Sequence, residues 1–440
     1  MSRKQQTGQK LWQRAKSVIP GGNMLLSKRA EMFLPEAWPT YFSKSKGCYV
    51  WDLDDNRYID MSIMGIGTNI LGYGHTFVDS AVHAAITNGN MSTFNCPEEV
   101  YLAEKLCELH PWASMARFAR SGGEANAIAI RIARAASGKS KVAICGYHGW
   151  HDWYLSVNLS SGDKLSDHLL PGLEPNGVPI DLAGSVIPFE YNNYQELVSI
   201  ISDHDIGVIK MEVQRNHGPK DDFLLKVRKL ADDNNIVLIF DECTSGFRET
   251  FGGIHLKYHV FPDLAVFGKA LGNGYAISAV IGKESIMQCA QSSFISSTFW
   301  SERIGPTAAL ATLSQMENQR SWEYITLAGK RIRNGWLSLS STYQVPLTIT
   351  GIPAISAFSV NCRNPLAAKT YITQEMLKLG YLSSNLIFVS TSHTDEIIDT
   401  YLQALGRVFS ILSNHIETTA PPIDSLLEGP VCHSGFHRLN

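Results

Sequence analysis

The sequence predicts an α/β fold: a mixed, mostly parallel sheet in a large domain with helices on both faces, plus a small α+β domain. Three observations carry the prediction. From about residue 76, short apolar runs alternate with segments of helical periodicity, the pattern of βαβ crossovers. The runs, such as Ile236-Val237-Leu238-Ile239-Phe240, are β-branched and continuous, as strands buried on both faces are. Several runs stop at glycines or charged residues, where an open parallel sheet holds its ligands.

Residues 1–75 read as an N-terminal arm and hairpin. Lys10 to Val18 suits a short helix, stopped by Pro20-Gly21-Gly22. Cys48 to Asp60 reads as two apolar strands around an Asp-Asp-Asn turn. The glycine-spaced stretch Gly65 to His75 contains Gly-x-Gly but lacks the third glycine and the strand-to-helix setting of a dinucleotide fingerprint, so it reads as a pocket-lining turn.

Residues 76–320 read as the large domain. Phe77 to Asn88 and Glu98 to His110 are helical in pattern, and Met115 to Ala119 is a strand. After Arg120-Ser121-Gly122-Gly123, the stretch Glu124 to Ala136 places Ala125, Ile128, Ala129, Ile132 and Ala133 on one helical face. Lys141 to Cys145 is a strand. Residues 155–183 break the rhythm with Ser, Gly, Pro and Asp, and a loop of that length in a compact domain suits an active-site lid. Gly207 to Glu212 is a strand, Phe223 to Asp233 a helix, and Ile236 to Phe240 a strand ending in Asp241 and Glu242. Leu264 to Phe267 is a further strand, ending in Gly268-Lys269. Thr307 to about Ser338 reads as one long helix. Residues 321–440 suit the small domain, with a strand at Leu347 to Thr350 and a helix from Thr394 to Leu412.

Of 440 residues, 44% are hydrophobic and 18% charged, which suits a large core and argues against global disorder. A formal net charge of -3 gives no basic footprint for nucleic acid and no attraction to an anionic membrane. The eight cysteines are scattered singly without a Cys-x-x-Cys pair, so most are expected to be buried thiols of a reducing compartment. The first residues lack the apolar stretch of a signal peptide, and no run reaches the ~20 apolar residues of a membrane span. A soluble cytoplasmic protein is the expectation.

The chemistry-bearing residues fall at strand ends. Ser121-Gly122-Gly123 lies between a strand and a helix N-terminus, where free N–H groups and the helix dipole favour a phosphate. The competing reading is an ordinary N-capping serine with turn glycines. Tyr147 and His148 follow another strand, and Tyr147 is a ring able to stack on a heteroaromatic ligand. His148, His151 and Asp152, or His433 and His437 near Cys432, suggest a metal, but no companion cluster stands at a known spacing. Lys269 follows an apolar run, where desolvation favours the neutral, nucleophilic amine. Glu212 ends a strand and is placed to bond a ring substituent or a neighbour. An amine at Lys269 and an acid at Asp241, delivered to one crevice, form the protein half of pyridoxal 5'-phosphate (PLP) chemistry.

With these motifs in view the chain resembles the class III PLP-dependent aminotransferases. The resemblance rests on Ser121-Gly122-Gly123-Glu124-Ala125, Tyr147-His148-Gly149, Asp241 to Arg248, Gly252-Gly253, Pro262-Asp263-Leu264 and Gly268 to Gly274. Pro20-Gly21-Gly22, the 155–183 loop and Ser392 to Glu396 are similar to the glutamate-1-semialdehyde 2,1-aminomutase branch. It implies a PLP-dependent transferase of fold type I that moves an amino group on a small amino or carbonyl substrate. It implies that Lys269 bonds the cofactor covalently and then carries protons, and that Asp241 keeps the ring nitrogen protonated. Cys243 stands where a valine packs on one ring face, with Tyr147 on the other and His148 and Glu212 beside them. Ser121, Gly122 and Gly123 hold the phosphate, helped by Thr298 of a second subunit, so the family relation implies a homodimer with its site at the subunit interface. Two departures bear on substrate. Gly123 replaces the usual threonine, and Lys28 stands where the aminomutase arm carries a carboxylate-binding arginine, with Arg29 one position out of register. The alternative implied is a transaminase acting between two molecules, on a keto-sugar or specialised metabolite.

Overall fold

The computed structural model describes residues 6–160, 172–416 and 422–436. The chain forms two compact units, Met1–His75 with Tyr324–Asn440, and Thr76–Glu323.

The first unit carries the expected hairpin. Strands β1 (Phe42–Lys46), β2 (Tyr49–Asp52) and β3 (Arg57–Met61) pair antiparallel in sequence order. Asp52 fixes the turn by accepting the N–H groups of Asp54 and Asn56, each at 2.9 Å, while Asp55 takes a left-handed φ of 61°. The preceding helix is longer than expected, Thr7–Val18, and buries Trp12 and Ala15 against Phe33, Leu34 and Trp38.

The second unit is built on a seven-stranded sheet: β4 (Met115–Ala119), β5 (Lys141–Cys145), β6 (Val186–Pro188), β7 (Ile206–Glu212), β8 (Val237–Asp241), β9 (Leu264–Phe267) and β10 (Ser278–Gly282). Its spatial order is β4-β10-β9-β8-β7-β5-β6. The pairs β5–β6, β5–β7, β7–β8 and β8–β9 are parallel, and β10 alone runs against both of its neighbours. The carboxyl ends of β4, β5, β7, β8 and β9 therefore meet along one edge. Every residue of β7, β8, β9 and β10 is buried, which explains why these strands read as unbroken apolar runs. The helix Gly122–Ser137 lays Ala125, Ile128, Ala129, Ile132 and Ala133 onto this sheet, the face that periodicity predicts.

The chain closes in the first unit with β11 (Leu347–Ile352), β12 (Ile355–Val360), β13 (Tyr381–Ser383) and β14 (Leu386–Phe388). Strands β11, β12 and β14 form a separate antiparallel sheet, and β13 pairs parallel with β3. The helix Asp395–Leu412 starts at Thr394, whose hydroxyl caps the Ile397 N–H.

Four expectations are corrected. The long helix is two, Ile304–Gln319 and Ser321–Tyr343, because Arg320 turns left-handed at φ 47° and ends the first. Strand β10 was missed, since five small and apolar residues after a glycine-rich turn carry little pattern. Residues 155–159 are not loop but lie in helical turns, Asp152–Leu155 and Ser156–Leu159, with Ser156, Val157 and Asn158 buried. The centre of the expected lid, 161–171, lies outside the described residues, as does His437. Of the eight cysteines, all free, only Cys48, Cys145 and Cys432 are buried; the other five are half-buried in helices and loops. No helix among the described residues is long and apolar enough to cross a membrane.

Candidate active site

The sheet edge gathers the strand-end residues. Asp241 closes β8 and Glu212 closes β7, the two facing each other in register. Gly146-Tyr147-His148 follows β5, Ser121-Gly122-Gly123 follows β4, and Gly268-Lys269 follows β9. Thr298 is exposed and opens the 3-10 turn Thr298–Ser301.

Asp241 is 2% exposed and densely held. Its Oδ2 accepts the Nδ1–H of His148 at 2.8 Å, and its Oδ1 accepts the Cys243 N–H at 3.0 Å. The Nζ of Lys210 lies 3.8 Å from Oδ2. Burial works to raise the Asp241 pKa, but Lys210 and His148 outweigh it and hold the carboxyl well below the usual range. His148 is wholly buried, and burial pushes its pKa down, so it is a neutral ring donating to a carboxylate. The second carboxylate of the pair, Glu242, points elsewhere: it bonds His255 and Ser245 in the core.

Lys269 takes a left-handed φ of 40°, which a lysine adopts at a cost of about 1–3 kcal/mol and which marks functional sites. Its Nζ donates to Thr244 Oγ1 at 2.6 Å. Burial, and then the charge of Arg215, push its pKa down to about 8. Glu212 accepts the Tyr147 N–H at 3.2 Å and pairs with Arg215 at 3.1 Å. Gly146 is required beside it: its φ is 108°, and a Cβ there would stand 2.6 Å from Glu212 Oε2. Tyr147 presents its ring edge-on to Tyr154, 5.9 Å between centroids.

At the helix N-terminus both readings of Ser121 meet. It caps the helix in a reciprocal box with Glu124, accepting the Glu124 N–H while its own N–H donates to Glu124 Oε2 at 2.8 Å. The first-turn N–H groups of Gly122 and Gly123 have no intrahelical acceptor, and the helix they open follows the end of β4. The glycines also make a cradle. A Cβ on Gly122 would stand 3.3 Å from Cys243 Sγ, and one on Gly268 would stand 3.4 Å from the same sulfur. A Cβ on Gly123 would stand 2.9 Å from His151 Cε1. The space that a threonine would need at 123 is thus taken by His151. Cys243 is a thiol rather than a thiolate, since burial and then Asp241 push its pKa up.

The donor set suits PLP. An anion would meet free N–H groups at a helix start, Tyr147 and Cys243 follow the ends of β5 and β8 and could flank a ring, Asp241 could accept from a ring nitrogen, and Lys269 is an amine with a lowered pKa. The metal reading gains no partner here: His148 Nδ1 is engaged by Asp241, and no group of three or more potential ligands stands together among the described residues. Three participants were missed from sequence. Lys210 is signalled only by a charge inside the apolar run Val208-Ile209-Lys210-Met211, Arg215 only by its position three residues after Glu212, and Thr244 by nothing.

Comparison with known proteins agrees with the geometry. The sequence model of the family described as aminotransferase class III matches residues 35–405. The 3-aminobutyryl-CoA aminotransferase of Cloacimonas acidaminovorans is 36% identical over 354 residues, covering 78% of this chain and 81% of its own. The glutamate-1-semialdehyde 2,1-aminomutase of Sulfurisphaera tokodaii is 31% identical over 423 residues, covering 91% and 99%. The FumI protein of Sphingopyxis sp. MTA144, in a form carrying PLP, superposes with a TM-score of 0.84 at 25% identity, covering 96% of this chain and 99% of that one.

Proposed function

The chain belongs to the class III aminotransferases, PLP enzymes, and on that premise we propose that it moves an amino group on a small substrate in the manner of glutamate-1-semialdehyde 2,1-aminomutase. The observation that carries the reading is the shared sheet edge. Asp241, clamped by His148, closes β8, and Lys269 follows the neighbouring strand β9, at an edge that also starts a helix with two glycines.

When bound, PLP supplies an electron sink for the bonds around the substrate's amino carbon. The chain's residues do the rest. The N–H groups of Gly122 and Gly123 bind the phosphate, and Ser121 fixes their orientation through its box with Glu124. Asp241 holds a proton at the ring nitrogen, and His148 keeps its carboxylate in place. Tyr147 and Cys243 exclude water from the two ring faces. Glu212, fixed by Arg215 and the Tyr147 N–H, holds the loop that carries Tyr147 in place. Lys269 binds the cofactor and moves protons between the two carbons that exchange the amino group, which a pKa near 8 suits at neutral pH.

Thr298 completes the phosphate site of a second copy in this reading. Phe294 and Phe299, 86% and 68% exposed on either side of it in the sequence, and the exposed Trp150 and Phe94 are apolar side chains that a homodimer would cover. The chain works in the cytoplasm on this reading.

A second reading, transfer between two molecules, is favoured by the arm. The Arg29 guanidinium lies 5.5 Å from the Phe436 ring and against Gly21, so the nearest arginine to the expected carboxylate position is occupied within its own unit. The 36% relative also acts, by its name, as an aminotransferase. One experiment separates the two. The coloured enzyme is mixed with glutamate-1-semialdehyde or 4,5-diaminovalerate, and separately with glutamate plus keto compounds, while its visible spectrum is followed. Conversion with the first pair alone supports the mutase, conversion only with a donor and a separate acceptor supports the transaminase, and no conversion with any amine refutes both.

A further inference from the structure

Lys210 has no part in the chemistry above, yet it is the most conspicuous charge in the second unit. It lies on β7, two residues before Glu212 and on the same face, between Ile209 and Met211. Its side chain is 0% exposed, and its Nζ makes no hydrogen bond among the described residues. An ammonium in such a place is costly without an ionic partner. The carboxylate next to it is Asp241, with Oδ2 at 3.8 Å.

The charges around Lys210 can be counted. Asp241 on β8 and Glu212 on its own strand are anionic, and Glu212 is already paired with Arg215. His148, from the loop after β5, is neutral, and Cys243, after β8, is a thiol. Before any ligand arrives, one carboxylate therefore faces one amine. A protonated ring nitrogen would bring a second cation to the same carboxylate. Two cations on one buried anion leave an uncompensated charge beside Lys210 and Asp241, both shielded from water, which the low dielectric penalises.

We propose that Lys210 is a positioning residue that shares Asp241 with the ring nitrogen of the cofactor: it is the cationic partner of Asp241 in the empty site and releases its proton when the ring nitrogen takes its place. The step breaks one N–H bond of Lys210 and the proton passes to solvent water or a buffer base; the bond between PLP and Lys269, made with loss of one water, is common to all the proteins compared and cancels between them. The direction agrees with burial, which pushes the Lys210 pKa down and leaves Asp241 to hold the proton on. This proposal rests on the PLP reading given above.

The test uses the full chain, stripped of cofactor and reloaded with PLP near neutral pH. Proton release is counted by titration calorimetry in two buffers of different ionisation enthalpy, for wild type, Lys210→Met and Lys210→Arg. Wild type is expected to release about one proton more per PLP bound than Lys210→Met, which has none to give. Lys210→Arg, unable to lose its charge, is expected to release no extra proton and to bind PLP more weakly. Nitrogen-15-labelled PLP on the same proteins is expected to show the ring nitrogen protonated in wild type and Lys210→Met and less so in Lys210→Arg. Equal proton release by wild type and Lys210→Met overturns the proposal. An Arg variant that matches wild type in both measurements overturns it even if the Met variant does not fold. A wild type that binds no PLP removes instead the functional reading on which the proposal stands.

Discussion

Replacing Arg215 by methionine should slow the loading of PLP at neutral pH, and the size of the effect follows from Lys269. Burial first, then the charge of Arg215, hold this amine at about 8. At pH 7 about one amine in eleven is then neutral, against about one in two thousand five hundred at the ordinary lysine value. Only the neutral amine attacks a carbonyl, so the site gains about two hundredfold in reactive population from its surroundings. Arg215→Met removes the cation and also frees Glu212, which now draws the Lys269 proton on more strongly. Both changes move the pKa upward, and each unit of rise lowers the neutral fraction at pH 7 about tenfold. Stripped protein is mixed with PLP from pH 6 to 10 and the visible-edge absorbance followed. The wild-type rate should climb with pH and level off above about 8; the variant should level off at higher pH but reach the same plateau. The sign carries over to stability. The folded pKa lies below the unfolded one, so the unfolded chain binds more protons between them, and stability rises as pH climbs from about 8 towards the ordinary lysine value. A wild-type bend at the ordinary value, or a bend unmoved by Arg215→Met, would refute this reasoning.

Gly146→Ala should lower stability by about 1–3 kcal/mol in urea denaturation, because its φ of 108° is strained for alanine and the new Cβ displaces Glu212; an unchanged midpoint contradicts the arrangement. Gly123→Thr restores the residue usual in the family but should cost about 1–3 kcal/mol by crowding His151. His151→Ala should relieve most of that cost in the double variant, and strictly additive losses in a double-mutant cycle would show that the two positions do not compete.

How much of this was legible in the sequence depends on the kind of signal. The central strands β7, β8 and β9 were readable because burial on both faces demands unbroken apolar runs, and their ends were readable because glycines and charges interrupt those runs. The antiparallel β10 was not, since pairing direction leaves no mark on a five-residue apolar stretch. The break at Arg320 was hidden although Asn318 and Ser321 beside it are weak helix formers, because helical periodicity resumes at once and one left-handed residue needs no glycine to announce it. At the site, Asp241 and Lys269 were visible as charges where apolar runs stop. His148 was visible as a residue but not as the clamp on Asp241, because 93 positions separate the two in the chain. Lys210 shows the limit most clearly. A charge inside an apolar run reads as a blemish until the neighbouring strand supplies its carboxylate.

The most direct measurement is to locate the cofactor on the chain. The coloured enzyme is reduced with borohydride, which fixes PLP permanently to the lysine it is bonded to, then digested and mapped by mass spectrometry. The cofactor mass should sit on Lys269 alone. Finding it on Lys210 or another lysine, or on none, would contradict the site described here.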